Sequence, residues 1–389
     1  MKLSVERGEL WHGIDTVIDA VASKPAQPVL SHMLLEAEGQ TLTLSASNLD
    51  LSMRTCISAN VDRPGSVALP ARTFAEIARE WPEVQLTISL EDGRLVISGL
   101  LGGTDSGEGR YVLPTSDPEE FPEIPITLDG LSVDFGNSGI DAQLFHTMID
   151  KTSFAVSKDE TRPVLNGVLW RMDKDYMAMA ATDGSRLAEY KFFWGEGHGA
   201  AGTAEVILPP QVCNQLGKLL DGPEGLKRAI VGETQVLFDL GNTQILSRLI
   251  EGPYVDYGQV VPRKNDKRLV VSVERLLPAV RRVSVLSSSY THQVRLVFSN
   301  NSLELSASSQ EVGGEGREVI PTEYSDESLE VAYNSQYLIE ILDYYLYDYF
   351  VRKLLIVLHN VFEMVFHKCK HSKLKSIMYH VYMKMYGES

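Results

Sequence analysis

A chain of 389 residues is too long for one ordinary hydrophobic core, so two or three domains are expected. An apolar fraction of 44% excludes a disordered or fibrous chain and fits a folded globular one. The formal charge of −16 argues against a protein that grips polyanions through a broad basic surface.

The first predicted elements run in a fixed order. Leu10, Ile14, Val17, Ile18 and Val21 fall at helical spacing and predict a helix. A turn through Lys24-Pro25 follows, then strand-like runs at Met33–Glu36 and Thr41–Ser45 divided by Glu38-Gly39. A second helix is expected from Leu69-Pro70-Ala71-Arg72 onward, with Pro at the tolerated entry position. A hairpin then reads Leu86–Leu90, Glu91-Asp92-Gly93, Leu95–Ile97. The glycine-rich stretch from Gly99 to Gly109 is expected to be a mobile loop.

The same order returns twice. Val5-Glu6-Arg7 is matched by Ile140-Asp141-Ala142 about 135 residues later, and again by Val273-Glu274-Arg275 about 133 residues after that. In the second copy Leu144, Met148, Ile149 and Thr152 give the helix, and Val168–Arg171 and Met177–Ala180 the strands. Its second half has a helix over Val212–Leu220 and strands at Val236–Phe238 and Ile245–Ser247. In the third copy Leu276, Val280 and Val283 give the helix, and Val294–Phe298 and Leu303–Ser306 the strands, with Asn300-Asn301 at the turn. The second helix of that copy begins near Tyr333. A period of this length is far beyond solenoid units of about 20 to 50 residues. It is a domain-sized α+β unit of antiparallel hairpins with helices on one face. The expected boundaries are 1–127, 128–254 and 255–343, with an atypical tail at 344–389.

Cys56, Cys213 and Cys369 are scattered and form no CxxC, so neither a disulfide framework nor a zinc site is expected, and a reducing cytoplasm fits. Met1-Lys2-Leu3-Ser4-Val5 leads straight into a charged amphipathic segment, so no signal peptide is expected. There is no GxxxxGK[ST] and no HExxH. His367-Lys368-Cys369-Lys370-His371 matches no standard metal spacing, so no metal and no cofactor are expected.

Two stretches are more specific than the pattern: Phe154-Ala155-Val156-Ser157-Lys158-Asp159-Glu160-Thr161-Arg162-Pro163-Val164-Leu165-Asn166-Gly167-Val168, and Ala181-Thr182-Asp183-Gly184-Ser185-Arg186-Leu187-Ala188. Together with Lys24–Leu30 and Leu69-Pro70-Ala71-Arg72, they make the chain resemble the bacterial beta sliding clamps from Met1 to about Asp343. The resemblance implies a ring-shaped head-to-tail homodimer of clamp domains, with helices lining a central hole and antiparallel sheets outside. It implies a non-catalytic, cytoplasmic processivity factor that encircles duplex DNA, with no membrane partner. A closed ring stays on DNA by topology, so an acidic exterior is harmless and a few cations facing the duplex suffice.

The resemblance also implies site residues. Lys24, Arg72, Arg79, Lys151, Lys158, Arg162, Lys218, Arg281 and Arg282 match DNA-facing positions; the plainer alternative is ordinary solvated charge. The family's aromatic pair after the Arg162 position is replaced by Pro163 and Val164, which removes stacking on DNA there. Leu165, Thr182, Gly184, Ser185, Arg186, Leu187, Val255 and Val260 match an apolar groove that takes short linear peptides from polymerase, clamp loader and repair proteins. Thr182-Asp183-Gly184-Ser185 also reads as a plain Asx turn, and Asp183 has neither the base nor the metal partner of a catalytic acid. Val285 and Leu286 would meet Tyr111 and Leu113 of a neighbouring copy, against the alternative of internal core contacts.

After Asp343 the family pattern stops. The last 46 residues hold 7 of the 16 tyrosines and 4 of the 9 histidines, and their net charge is +4 against −20 for the rest. No Gly or Pro divides Leu354–Leu358 from Val361–Phe366, and the run is too short for a membrane span. The tail is therefore expected to be an out-of-frame end, or else a lineage-specific amphipathic element. An out-of-frame end would leave the third sheet with an unpaired edge. The alternative function for such a chain is a peptide-binding scaffold that no longer encircles DNA.

Overall fold

The computed structural model describes residues 1–25, 27–102, 107–135, 140–194, 202–220, 225–259, 261, 267–311, 313–346, 354–358, 361–365 and 377–384. It divides into two compact units that interleave the sequence: Met1–Leu144 with Gln211–Leu249, and Phe145–Pro210 with Ile250–Ser389. The second repeat is thus shared between them.

The first unit opens with β1 (Lys2–Glu6) and helix α1 (Arg7–Val17). Leu10, Ile14 and Val17 are buried at the predicted i, i+4, i+7 spacing. Gly13 lets α1 approach its sheet closely, since a methyl there would stand 3.0 Å from both Leu44 and Ile57. The sheet under α1 is built from β2 (His32–Glu38), β3 (Thr41–Ser47) and β4 (Leu51–Ser58), with β5 (Asn60–Arg63) and β6 (Gly65–Pro70) following in sequence. Helix α2 (Ala71–Glu80) buries Phe74, Ala75 and Ala78 and leaves Arg72 and Arg79 exposed. Then come β7 (Gln85–Glu91), β8 (Arg94–Leu100), β9 (Glu108–Pro114) and β10 (Leu131–Asp134).

The second unit starts at α3 (Ala142–Ser153), whose first residues lie at the junction, and continues with β11 (Val168–Met172), β12 (Tyr176–Thr182), β13 (Arg186–Phe193) and β14 (Ala204–Leu208). The helical stripe of α3 is carried by Phe145, Met148, Ile149 and Thr152. Leu144, expected in that stripe, is only half-buried, and Phe145 takes its place edge-on to Trp170 with centroids 5.1 Å apart. The chain then returns to the first unit with α4 (Pro210–Leu220), β15 (Arg228–Val231), β16 (Gln235–Asp239) and β17 (Thr243–Arg248). The order β10-β15-β16-β17-β4-β3-β2-β6 makes one eight-stranded sheet, in which β17 of the second repeat pairs with β4 of the first. The Thr55 and Thr243 hydroxyls hydrogen-bond across that seam at 2.9 Å. A separate five-stranded sheet has the order β5-β1-β7-β8-β9.

The rest of the second unit comprises β18 (Lys267–Val271), α5 (Val273–Ser284), β19 (Gln293–Ser299), β20 (Ser302–Ser309), β21 (Gly314–Pro321), β22 (Leu329–Asn334), α6 (Ser335–Leu346), β23 (Leu354–Leu358), β24 (Val361–Val365) and β25 (Ile377–Lys384). Leu276, Val280 and Val283 of α5 are buried as predicted. Strands β21-β20-β19-β22 form a four-stranded sheet.

The expected unpaired edge after Asp343 is not found. The second eight-stranded sheet has the order β14-β11-β12-β13-β25-β24-β23-β18, so three tail strands fill the gap between the second and third repeats. Their sequences, rich in Ile, Val, Leu, Tyr and Phe, suit strands. Pairing is imposed by the open edges of β13 and β18, which a scan for Gly and Pro between the runs does not see. The loop expected from Gly99 to Gly109 connects β8 to β9, with Leu100 still paired to Glu108; residues 103–106 lie outside the described set.

Candidate partner groove and nucleic-acid contacts

Of the expected groove residues, Thr182, Gly184, Ser185 and Arg186 lie at the β12–β13 turn. The Asp183 carboxylate accepts the backbone N–H groups of Ser185 (2.8 Å) and Arg186 (3.0 Å), the Asx turn predicted from sequence. The Thr182 hydroxyl donates to the Arg186 carbonyl at 2.6 Å and accepts from the Gly184 N–H at 3.1 Å. Gly184 has φ +91°, a conformation that side chains rarely adopt. These bonds and an ion pair to Arg186 occupy Asp183, which is a turn residue.

Behind the turn, Leu165, Leu169, Ala180, Leu187, Ile207, Tyr254 and Tyr257 form one apolar cluster, with Val164, Ile250 and Val261 against it. The structure thus brings together Leu165 and Leu187 of the expected lining. Val255 points outward at 42% exposure, and Val260 lies outside the described residues. Two tyrosines that the sequence pattern did not single out, Tyr254 and Tyr257, complete the cluster. The Tyr254 hydroxyl accepts the Thr182 N–H at 3.1 Å, and burial pushes its pKa up to about 12. The Tyr257 hydroxyl donates to the buried Glu189 carboxylate at 2.8 Å; burial, then the Glu189 charge, raises it further still. Lys191 completes the set with its ammonium 2.9 Å from Glu189. The Tyr-x-x-Tyr spacing after Pro253 was the available signal. Gly167, in the Leu165-Asn166-Gly167 motif, sits where a methyl would stand 2.5 Å from Ile207 and 2.7 Å from the Leu208 carbonyl.

Arg186, expected among the groove residues, is held within its own unit. It is 8% exposed. Its guanidinium bonds Asp183, Glu340 of α6 and the Phe154 carbonyl, and lies over the rings of Phe154 and Tyr337. Its donors fasten the turn to α6.

The nine candidate DNA cations fall into groups. Lys24, Arg72 and Lys158 are exposed and carry no ion pair among the described residues. Arg79 pairs with Glu80 at 3.0 Å, and Arg162 with Asp159 at 2.8 Å. Lys218 pairs with Asp19, Arg281 with Asp343, and Arg282 with both oxygens of Glu318 at 2.7 Å. Lys151 is half-buried in the last turn of α3.

The residues expected at a seam between copies differ in exposure. Tyr111 and Val112 are exposed on the edge strand β9, with Tyr111 edge-on to Trp81. Leu113, predicted at the seam, is 6% exposed and belongs to the core of its own unit, because β9 turns that residue inward beside Leu95. Val285 is 74% exposed, whereas Leu286 is half-buried against Gly314 and Gly316 of β21. Among the described residues no group of three or more potential metal ligands occurs, and no helix is long and apolar enough to cross a membrane.

Comparison with known proteins accords with this layout. Family models of the DNA polymerase III beta subunit match in succession: N-terminal domain at 1–125, central domain at 139–256, C-terminal domain at 258–346. The beta sliding clamp of Synechococcus elongatus is 33% identical over 350 residues, covering 87% of this chain and 89% of that one. That of Caulobacter vibrioides is 32% identical, covering 88% and 90%. The sliding clamps of Pseudomonas aeruginosa and Bartonella birtlesii, each solved bound to griselimycin, superpose over 100% of both chains with TM-scores of 0.86 and 0.87 at 25% identity. Sequence likeness to the family models ends at residue 346, while likeness of backbone continues through the tail strands. The chain belongs to the DNA polymerase III beta subunit family, the bacterial sliding clamps that serve as processivity factors in DNA replication.

Proposed function

We propose that two copies of this chain close head to tail into a ring around duplex DNA, and that the groove of Leu165, Leu187, Tyr254 and Tyr257 receives short apolar peptides from polymerase, loader and repair proteins. The repeat domains 1–127, 128–254 and 255–343 are its building blocks, helices its inner face, and the bacterial cytoplasm its place. No chemistry is assigned to it. The observation that supports the ring is a pair of sheet edges alike in sequence. The five-stranded sheet ends at β9, Glu-Gly-Arg-Tyr-Val-Leu-Pro, and the four-stranded sheet ends at β21, whose last seven residues are Glu-Gly-Arg-Glu-Val-Ile-Pro. Both strands expose apolar side chains, Tyr111 and Val112 on one and Val319 on the other. Soluble proteins rarely leave such edges open, and pairing β9 of one copy with β21 of the next supports closure. Leu113 acts behind that seam, and Val285 at it.

The scaffold alternative drew on Pro163 and Val164 in place of the aromatic pair and on a broken third sheet, and the paired tail strands speak against the second ground. Loading onto nicked circular DNA followed by gel filtration tests the proposal. The ring reading expects protein to travel with the circle and to be lost when the circle is linearised. A monomer in sedimentation, or equal loss before and after linearisation, would overturn it.

A further inference from the structure

The cations that the ring reading turns toward DNA are mostly already occupied. Five of the nine carry a carboxylate partner: Arg79, Arg162, Lys218, Arg281 and Arg282. Two of these pairs join separate helical elements. In the first unit Asp19 sits in the turn Ile18–Ala20 after α1 and accepts from both Lys218 and Gln215 of α4, the latter at 3.1 Å. Arg72 of α2 is close enough that its charge, after those of the two bonds, helps hold the Asp19 carboxyl below the usual range. In the second unit Asp343 of α6 clasps Arg281 of α5. The ninth residues of α2, α4 and α6 are Arg79, Lys218 and Asp343, so the third repeat carries an acid where the first two carry a cation.

We propose that Asp19 and Asp343 are built-in competitors of the DNA phosphates, which withhold Lys218 and Arg281 from the duplex and leave its grip to Lys24, Arg72 and Lys158, which carry no ion pair among the described residues. A cation with a carboxylate in contact presents a dipole instead of a full charge, and its field decays within a few ångströms of the surface. A ring retained by topology gains little residence from phosphate contacts, and each contact would resist sliding. This inference rests on the DNA-encircling reading above.

Binding of the full-length protein to a short fluorescent duplex, followed by anisotropy across about 50 to 200 mM salt, tests it. The variant Asp19→Asn/Asp343→Asn frees both cations and keeps isosteric side chains. Its control is Glu119→Gln/Glu123→Gln, which removes the same charge from exposed carboxylates with no ion pair among the described residues. The expected result is a log–log salt slope steeper by roughly 0.9 for each freed cation in each protomer, and low-salt affinity raised about tenfold, with the control at the wild-type slope. An unchanged slope, or equal steepening in the control, overturns the proposal. Thermal melting verifies the fold, and Asp19→Asn alone carries the test in the first unit if the double variant melts early. Wild-type protein that is not retained on closed circles sinks the DNA reading itself, whereas retention with an unchanged slope sinks only this inference.

Discussion

The guanidinium of Arg186 lies 4.4 Å from the centroid of the Tyr337 ring, and through it the β12–β13 turn is tied to α6. Asp183, Glu340 and the Phe154 carbonyl fix the same group from three other directions. Replacing Arg186 by Ala leaves a nearly buried Asp183 without its counter-charge and is expected to cost about 3 kcal/mol in urea unfolding. Arg186→Lys is expected to recover less than half, because an ammonium cannot serve several acceptors in a planar fork. A loss under about 0.5 kcal/mol for the Ala variant would show that the fastening contributes nothing.

Tyr257→Phe removes one of the two partners that the Glu189 carboxylate has among the described residues. The expected cost is about 1 to 2 kcal/mol, with weaker binding of any groove peptide because the linker wall is no longer pinned. Gly167→Ala is predicted to be worse, since its methyl meets a backbone carbonyl and Ile207 with no room to shift. Calorimetry and peptide titration on the same samples separate the two effects.

Val285→Glu and Leu113→Asp are expected to fail differently. Val285 is 74% exposed, so a charge there leaves the folded protomer intact and weakens self-association about tenfold or more in sedimentation. Leu113 is a core residue, and an acid there is expected to lower the melting temperature before association is ever measured. Equal melting temperatures for both variants would contradict this assignment.

The Asp19 carboxyl is held below its ordinary range, first by its bond to Lys218, then by Gln215 and nearby cationic charge. A folded-state value below the unfolded one means that the group stabilises the fold above its unfolded value of 3.8. That contribution is lost as pH falls through the depressed folded value. The melting difference between wild type and Asp19→Asn should therefore be steady at neutral pH, shrink below about pH 5 and vanish in stronger acid. A difference that grows on acidification contradicts the pairing.

Ending the chain after Leu346 removes β23, β24 and β25 and exposes the edges of β13 and β18. Such a truncation is expected to give light-scattering aggregates, while Met1–Leu144 with Gln211–Leu249 keeps its own sheets. Limited proteolysis would read the second unit as the first to be cut. A soluble truncation with native melting would mean that the tail strands contribute no stability.

The sequence by itself determined the local elements and their repetition, because helical and strand periodicities are properties of neighbouring residues. Leu10, Ile14 and Val17, or Leu276, Val280 and Val283, announce one buried helical face each, and Asp183-Gly184 announces its own turn. Strands such as β4, inside a sheet and covered on most of their length, lack a clean alternation and were not legible. Only the tertiary structure decided which repeat halves share a sheet, that Phe145 displaces Leu144 from the core, and that the tail strands lie between β13 and β18. It also decided that Arg186 and Lys218 are held by carboxylates 154 and 199 positions distant in the chain. Contacts at such separations depend on chain reversals and edge availability, which no window of sequence contains.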